Sequence, residues 1–265
     1  MSISRIVIAA TAGAALLAAA AVSADERTDA GIPDLSGLWE PPGFDLAPPV
    51  KGGPGPVLNM SKNIQQPVGD YKNPVLQPWA AAQVKKWGDE ITAGRVPDHV
   101  HTLCMPMQVP GVMTLHNAYE FLQLKDKVVI LIANQAQARY VYLNVPHSKT
   151  ATPSWYGESV GHYEGDSLVI DTIGLKTHPL APLDRFGTPH TDKLHVVERI
   201  HRTGPKSLRI DFHIEDSGAF TRAWDATLGF HPFPEFGEDV CADTTTNPIT
   251  GEPIKGLPMD LHPVF

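Results

Sequence analysis

The residues best suited to chemistry in this chain are a carboxylate and a nearby imidazole, Glu198 and His190. Between residues 194 and 200, alternation puts Leu194, Val196, Glu198 and Ile200 on one face of an extended segment. His195, Val197, Arg199 and His201 take the other face. A carboxylate on the more apolar face has two roles open to it. It can be satisfied by an Arg or His as a structural pair, or it can face a cavity where a desolvated carboxyl suits general acid or base work. His190 follows Gly187-Thr188-Pro189 at the mouth of this segment, where a loop imidazole is placed for proton transfer or simply meets solvent.

Around this pair the sequence supplies further candidates. Asp171 ends the apolar run 167–172 and either joins a site at the strand end or caps the next turn. Arg139 or Arg185 could hold an anionic or oxyanionic group, although Asp184-Arg185 also reads as an exposed ion pair. Tyr119, Trp155, Tyr163 and Trp224 could wall a pocket for a partly apolar or aromatic ligand, with plain core packing as the competing role. His99 and His101 lie on one face of an extended segment and, with His116 and Glu120, could form a three-His, one-carboxylate metal set. The rest of a cupin-type pattern is missing, so no metal or other cofactor is expected.

Other chemistries fail on spacing. Residues 52–56 lack the Gly-Lys-Ser/Thr of a phosphate loop, and no dinucleotide fingerprint is present. Gly157-Glu-Ser159-Val-Gly161 has the letters of a nucleophile elbow, but a strand follows it rather than a helix. A formal charge of -8, with no basic cluster longer than Lys85-Lys86, argues against nucleic acid and anionic membranes and leaves a small molecule as the expected partner.

The elements that must position these residues are readable from punctuation and period. Pro and Gly make up 47 of 265 positions, which excludes a helical bundle. Thirteen of the 25 prolines fall between Gly31 and Pro110, so residues 25–118 read as a wrapping arm, interrupted by one helix near 78–93. From 119 to 265 the pattern turns to period two. Strands are expected over 120–124, 127–134, 139–144, 159–163, 167–172, 194–202, 207–215 and 220–230, with turns at 125–126, 164–166 and 203–206. A meander of this kind either stacks as a sandwich or closes as an antiparallel up-and-down β-barrel, and closure is favoured because it removes edges.

Residues 1–24 combine Arg5, an apolar run over 6–22 and Val22-x-Ala24, the pattern of a secretory signal cleaved after Ala24. A periplasmic or secreted protein with no stable membrane insertion after cleavage is expected. In that compartment Cys104 and Cys241, the only cysteines, would form one disulfide, the alternative being two buried thiols. Closing so long a loop would remove on the order of 4 to 5 kcal/mol of unfolded-state entropy.

Several motifs recur together in one family: Gly37-Leu-Trp39-Glu40, Cys104-x-Pro106 with Pro110-Gly111, residues 157–172, residues 187–199 and residues 216–224. The chain resembles this uncharacterised family of secreted bacterial proteins over most of its length. The family has Trp where this chain has Tyr163. Gly37-x-Trp39 is also similar to the lipocalin signature, which implies a barrel with the Trp plugging one end.

Together these readings lead to a mainly β, lipocalin-like barrel that binds a small molecule. The expected activity is cofactor-free acid–base chemistry, as a lyase, isomerase or hydrolase, with His190, Glu198 and Asp171 as catalytic groups. The alternatives are a non-catalytic carrier in which Glu198 and Arg139 form a buried pair, and a metal-dependent enzyme built on the histidines.

Overall fold

The computed structural model describes residues 31–97, 104–134 and 136–237. Nine strands in chain order close into a barrel: β1 (Gly37–Glu40), β2 (Tyr119–Gln123), β3 (Lys127–Ile132), β4 (Gln137–Leu143), β5 (Glu158–Glu164), β6 (Ser167–Ile173), β7 (His195–Gly204), β8 (Ser207–Glu215) and β9 (Trp224–Pro232). Strands β2 to β9 are the eight expected from alternation, and the three expected turns join β2 to β3, β5 to β6 and β7 to β8. Strand β1 is the addition. It carries the Gly-x-Trp motif, lies within the segment read as arm, and pairs with both β2 and β9 to complete the ring.

All neighbours are antiparallel except β4 and β5, which run parallel. Nine strands taken in order cannot alternate direction and still close antiparallel, so a ring of odd number needs a parallel pair. Residues 144–157 satisfy this need. They return the chain along the outside of the barrel instead of turning it back in a hairpin, and Ser154 bridges to Leu175 on the way.

Inside, each strand contributes every second residue: Tyr119 and Phe121 from β2, Val128, Ile130 and Ile132 from β3, Leu168, Ile170 and Thr172 from β6, Val196, Glu198 and Ile200 from β7. These side chains have almost no exposed surface, so no space for a water molecule lies beside them. At Gly161 a single added carbon would come within 2.9 Å of Val141. Among the described residues, the barrel interior is a packed core where a ligand cavity was expected.

The Pro-rich arm shares that core through Leu35, Leu46, Val57, Val75 and Leu76. It is stitched to the barrel by backbone bonds between Ala47 and Thr227, Gln77 and Ala219, and Thr221 and Val75. Helix α1 (Pro78–Thr92) begins on Pro78, buries Ala80, Val84, Trp87 and Ile91, and stops before Gly94, which adopts the left-handed conformation (φ 77°). No helix among the described residues is long and apolar enough to cross a membrane.

Trp39 lies on β1, between β2 and β9. Its ring is buried, its Nε1–H donates to the Leu35 carbonyl at 3.1 Å, and the Arg202 guanidinium lies 5.1 Å from the ring centre. Truncation should leave a cavity under that cation, and we expect Trp39→Ala to cost about 3–5 kcal/mol in chemical denaturation. A loss below about 1 kcal/mol would show that the ring is not a structural plug.

Candidate functional site

Glu198 and His190 occupy separate environments. On β7, Glu198 points into the barrel, fully buried, where both carboxylate oxygens are taken by Arg139 of β4. Arg139 Nη1 donates to Oε1 at 3.0 Å and Nη2 to Oε2. Arg139 Nη2 also donates to Ser159 Oγ at 3.1 Å and to Thr172 Oγ1 at 2.9 Å. The apolar-face carboxylate is thus one half of a satisfied ion pair, and the expected acid–base couple is not assembled. Fully buried and paired with Arg139, Glu198 is not open to a substrate.

The expected substrate-binding residues are likewise engaged elsewhere. Tyr119 is buried and its hydroxyl donates to the Val112 and Leu115 carbonyls at 2.6 and 3.0 Å; burial pushes its pKa well up. Tyr163 accepts from Gln123 Nε2 at 2.8 Å, close to the β5–β6 turn, far along the strands from the end that holds Tyr119 and Trp224. Trp224 packs edge-on against Phe220 inside the core. Arg185 is clamped to Asp45 by two bonds of 2.6 and 2.7 Å, so its charge is already met. Trp155 lies outside the barrel, 5.4 Å from the His178 ring and with Lys176 Nζ 5.1 Å from its centre. These aromatics therefore do not wall a common pocket.

Of the expected disulfide, Cys104 is described and is not a free thiol, while Cys241 lies outside the described residues. His99 and His101 also lie outside them. His116 turns its Nδ1 to the Pro41 carbonyl at 3.2 Å and to Glu40, and no three described His, Cys, Asp or Glu are placed to hold a metal ion.

His190 stands instead in the wall of an open cleft of about 680 Å³ between α1 and the loop 177–192. Trp79 and Trp87 from α1 face Pro179, Pro182 and Pro189 from the loop, with Gln83, Thr177, His178 and Asp192 as polar groups. Trp87 Nε1–H donates to the Arg185 carbonyl at 3.0 Å and Trp79 Nε1–H to the Gly218 carbonyl at 2.8 Å. With their N–H groups spent on the backbone, the indoles offer the cleft their carbon surfaces. Gly187 lets helix and loop approach: its φ is 76°, and a methyl group there would meet the Trp87 ring at 2.5 Å. Asp184 ties the same loop by accepting from the Phe186 and Thr188 amides at 2.9 and 3.1 Å, and burial raises its pKa to about 6.

The imidazole of His190 is buried and committed. Its Nε2 meets Gln108 Oε1 at 2.7 Å and its Nδ1 meets the Thr191 carbonyl at 3.0 Å. Gln108 is fixed in that orientation because its amide nitrogen donates to the Lys176 carbonyl at 2.6 Å. Burial lowers the pKa of His190, and a neutral ring can donate to only one of its two acceptors. Asp216, a buried carboxylate that pattern reading passed over, anchors the end of the loop by accepting from Thr191 N and Oγ1 at 2.5 and 2.6 Å and from Gly218 N at 2.9 Å.

Asp171 faces outward and belongs to a chain of alternating carboxylates and imidazoles. Asp171 Oδ1 receives His147 Nε2 at 3.1 Å and His195 Nε2 at 2.8 Å. The other nitrogen of His147 meets Glu158 at 2.9 Å, and that of His195 meets Glu215 at 3.3 Å. Glu215 in turn lies 3.4 Å from His213, which meets Asp225 at 2.7 Å. Each of the three rings has a carboxylate at both nitrogens. The hydrogen bond that His213 donates to Asp225 raises the pKa of His213, while hydrogen bonds from His195 and Ser148 lower those of Glu215 and Glu158.

Comparison with protein-family models, curated proteins and solved structures gives no match. The chemistry of the cleft is therefore argued from its own geometry.

Two outcomes are expected. Because Glu198→Leu alone strands a buried guanidinium, it should destabilise by about 3–5 kcal/mol, whereas Arg139→Met with Glu198→Leu should recover most of that loss in urea unfolding. The ladder has a pH window. Stability from Glu158 and Glu215 is present above about pH 4.5 and lost as pH falls through their lowered pKa values, and stability from His213 is present below about pH 6.5 and lost as pH rises through its raised one. The melting-temperature gap between the protein and His213→Asn should be widest inside that window; a gap constant to pH 9 would mean that the charged ring adds nothing.

Proposed function

We propose that this chain is a small-molecule-binding protein whose ligand occupies the cleft between α1 and the loop 177–192, outside the packed barrel. The observation that carries this reading is the pairing of two indole faces with a mainly apolar, half-open cavity of about 680 Å³. That volume falls within the usual range for ligand sites, about 300–1,000 Å³. Gln83, Thr177 and Asp192 supply the few polar groups that orient a ligand.

The lining sets the ligand's charge. No Lys or Arg is among the lining residues, Asp192 is the one ionised side chain, and Arg139 and Arg185 are both neutralised elsewhere. A neutral or cationic, flat, partly apolar molecule fits; a carboxylate or phosphate does not. Binding is favoured over catalysis because both nitrogens of His190 already face protein oxygens, Gln108 Oε1 and the Thr191 carbonyl, so a substrate would have to displace one of them to reach the ring. The signal-like residues 1–24 and a Cys104–Cys241 disulfide would suit such a protein to the periplasm or the exterior.

Trp79, with 47% of its surface exposed, is the natural reporter. Titration with indole or a neutral naphthalene probe should quench tryptophan fluorescence saturably, and Trp79→Ala should weaken binding by about tenfold. The carboxylated analogue should bind more weakly than the neutral one. Equal affinity for both, or saturable binding that Trp79→Ala leaves unchanged, would remove the ligand from this cleft. Turnover of a bound probe that His190→Asn abolishes would favour the acid–base enzyme instead.

A further inference from the structure

The outer surface of the barrel is chemically divided. Over β5 to β9 it carries the histidine–carboxylate ladder, Arg199, Arg209 and Asp211, as an exposed strand face should. Over β2 to β4 it does not. There Leu122, Val129 and Tyr140 stand directly opposite one another across three strands, flanked by Leu124, Tyr142 and Val145. Apart from Val129 these side chains are between 37% and 51% exposed. Alternation would place polar residues at all of these positions in a barrel that stays alone, and a continuous apolar patch of this kind marks a contact surface.

We propose that the outer face of β2–β4 is the interface of a homodimer, in which a second copy of this chain covers the row Leu122–Val129–Tyr140. Charge placement selects that occupant and its orientation. Glu120 stands two residues below the row on β2, and Lys127 two residues above it on β3, with Lys125 beyond in the turn. None of the three has an ion-pair partner among the described residues. A two-fold axis lying in the interface and crossing the strands at right angles along the row brings Tyr140 onto Tyr140. It also sets Glu120 of each copy above Lys127 of the other, offset by one strand spacing of about 4.8 Å, well within side-chain reach.

The alternative axis, parallel to the strands, sets Glu120 against Glu120 and Lys127 against Lys127. That juxtaposition costs association free energy. The net charge of -8 adds a general repulsion between copies, so contact is favoured where the apolar area is largest and the flanking charges of both signs balance. Because the barrel is closed, no strand edge competes for pairing, and face-to-face packing is the route left to it. This interface is independent of the cleft beside α1.

Sedimentation equilibrium of the purified full chain tests this. We expect a dimer with a Kd of about 1 µM or tighter. Glu120→Lys and Lys127→Glu should each weaken it by about tenfold or more, and the double variant should recover the dimer because the pairs re-form with reversed sign. Tyr140→Glu should give a monomer with an unchanged circular dichroism spectrum, since that side chain touches no core. A wild-type monomer at about 100 µM overturns the proposal, whether because the face is bare or because another segment of the same chain covers it. So does a dimer that Tyr140→Glu and both charge reversals leave intact, or folded single variants whose combination restores nothing.

Discussion

Closing an odd number of strands forces a parallel pair, and much of the chemistry of this molecule follows from where that pair falls. Because β4 and β5 run in the same direction, Val141 stands opposite Ser159, and the side chain of Arg139 reaches the Ser159 hydroxyl from inside the barrel. A hairpin at that point would have reversed β5 and lost the register. The same parallel step requires a long external return. Residues 144–157 provide it, and on the way they lay His147 against Glu158 and Asp171 on the outer surface. Both the buried ion pair and the surface ladder therefore have a topological origin that no local preference explains.

The ion pair in turn decides what the barrel can hold. Two charges withdrawn from water cost several kcal/mol each unless their hydrogen-bonding capacity is met. Arg139 and Glu198 meet it mutually and with Ser159 and Thr172, which uses the interior polar positions at that end of the barrel for satisfaction instead of substrate. Apolar side chains fill the remainder. Packing is incomplete at the seam between barrel and arm, where the proposed ligand cleft lies. Helix α1 and the loop 177–192 meet there across bulky rings that cannot interdigitate fully, with Gly187 and Gly69 permitting the close approach on either side. At Gly69 an added carbon would lie 2.7 Å from Phe186.

How much of this could be read from residues alone depended on the range of the interaction. Alternation of period two located β2 to β9, and Pro78 with Gly94 bounded the helix, because strand faces and helix ends are set by neighbours within a few positions. The same alternation put Glu198 on the inner face of β7. It could not say what met it there, since Arg139 is 59 positions away and the pairing depends on the parallel step. Strand β1 was hidden because its four residues sit among prolines and take their pairing from β2 and β9. His190 was identified as a loop residue near a cavity, and the cleft does border it. The other wall, Trp79 and Trp87, comes from the helix expected near 78–93, to which no site role was given. Trp79 departs from the buried face formed by Ala80, Val84, Trp87 and Ile91, and that one-position offset is the signal a reader could have used.

The outer surface carries the last consequence of closure. A barrel has one inside and one outside, so every strand's second face must suit water or a partner. Over β6 to β9 the sequence meets this with His195, His213, Asp171 and Asp225, which hydrogen-bond one another in pairs across neighbouring strands. Over β2 to β4 the outward residues are of the kind that interiors use, while residues 47–77 of the arm send their backbone bonds to Thr227, Ala219 and Asp225. Exposed Leu122, Tyr140 and Tyr142 keep apolar surface in water, and the proposed second copy would remove that cost.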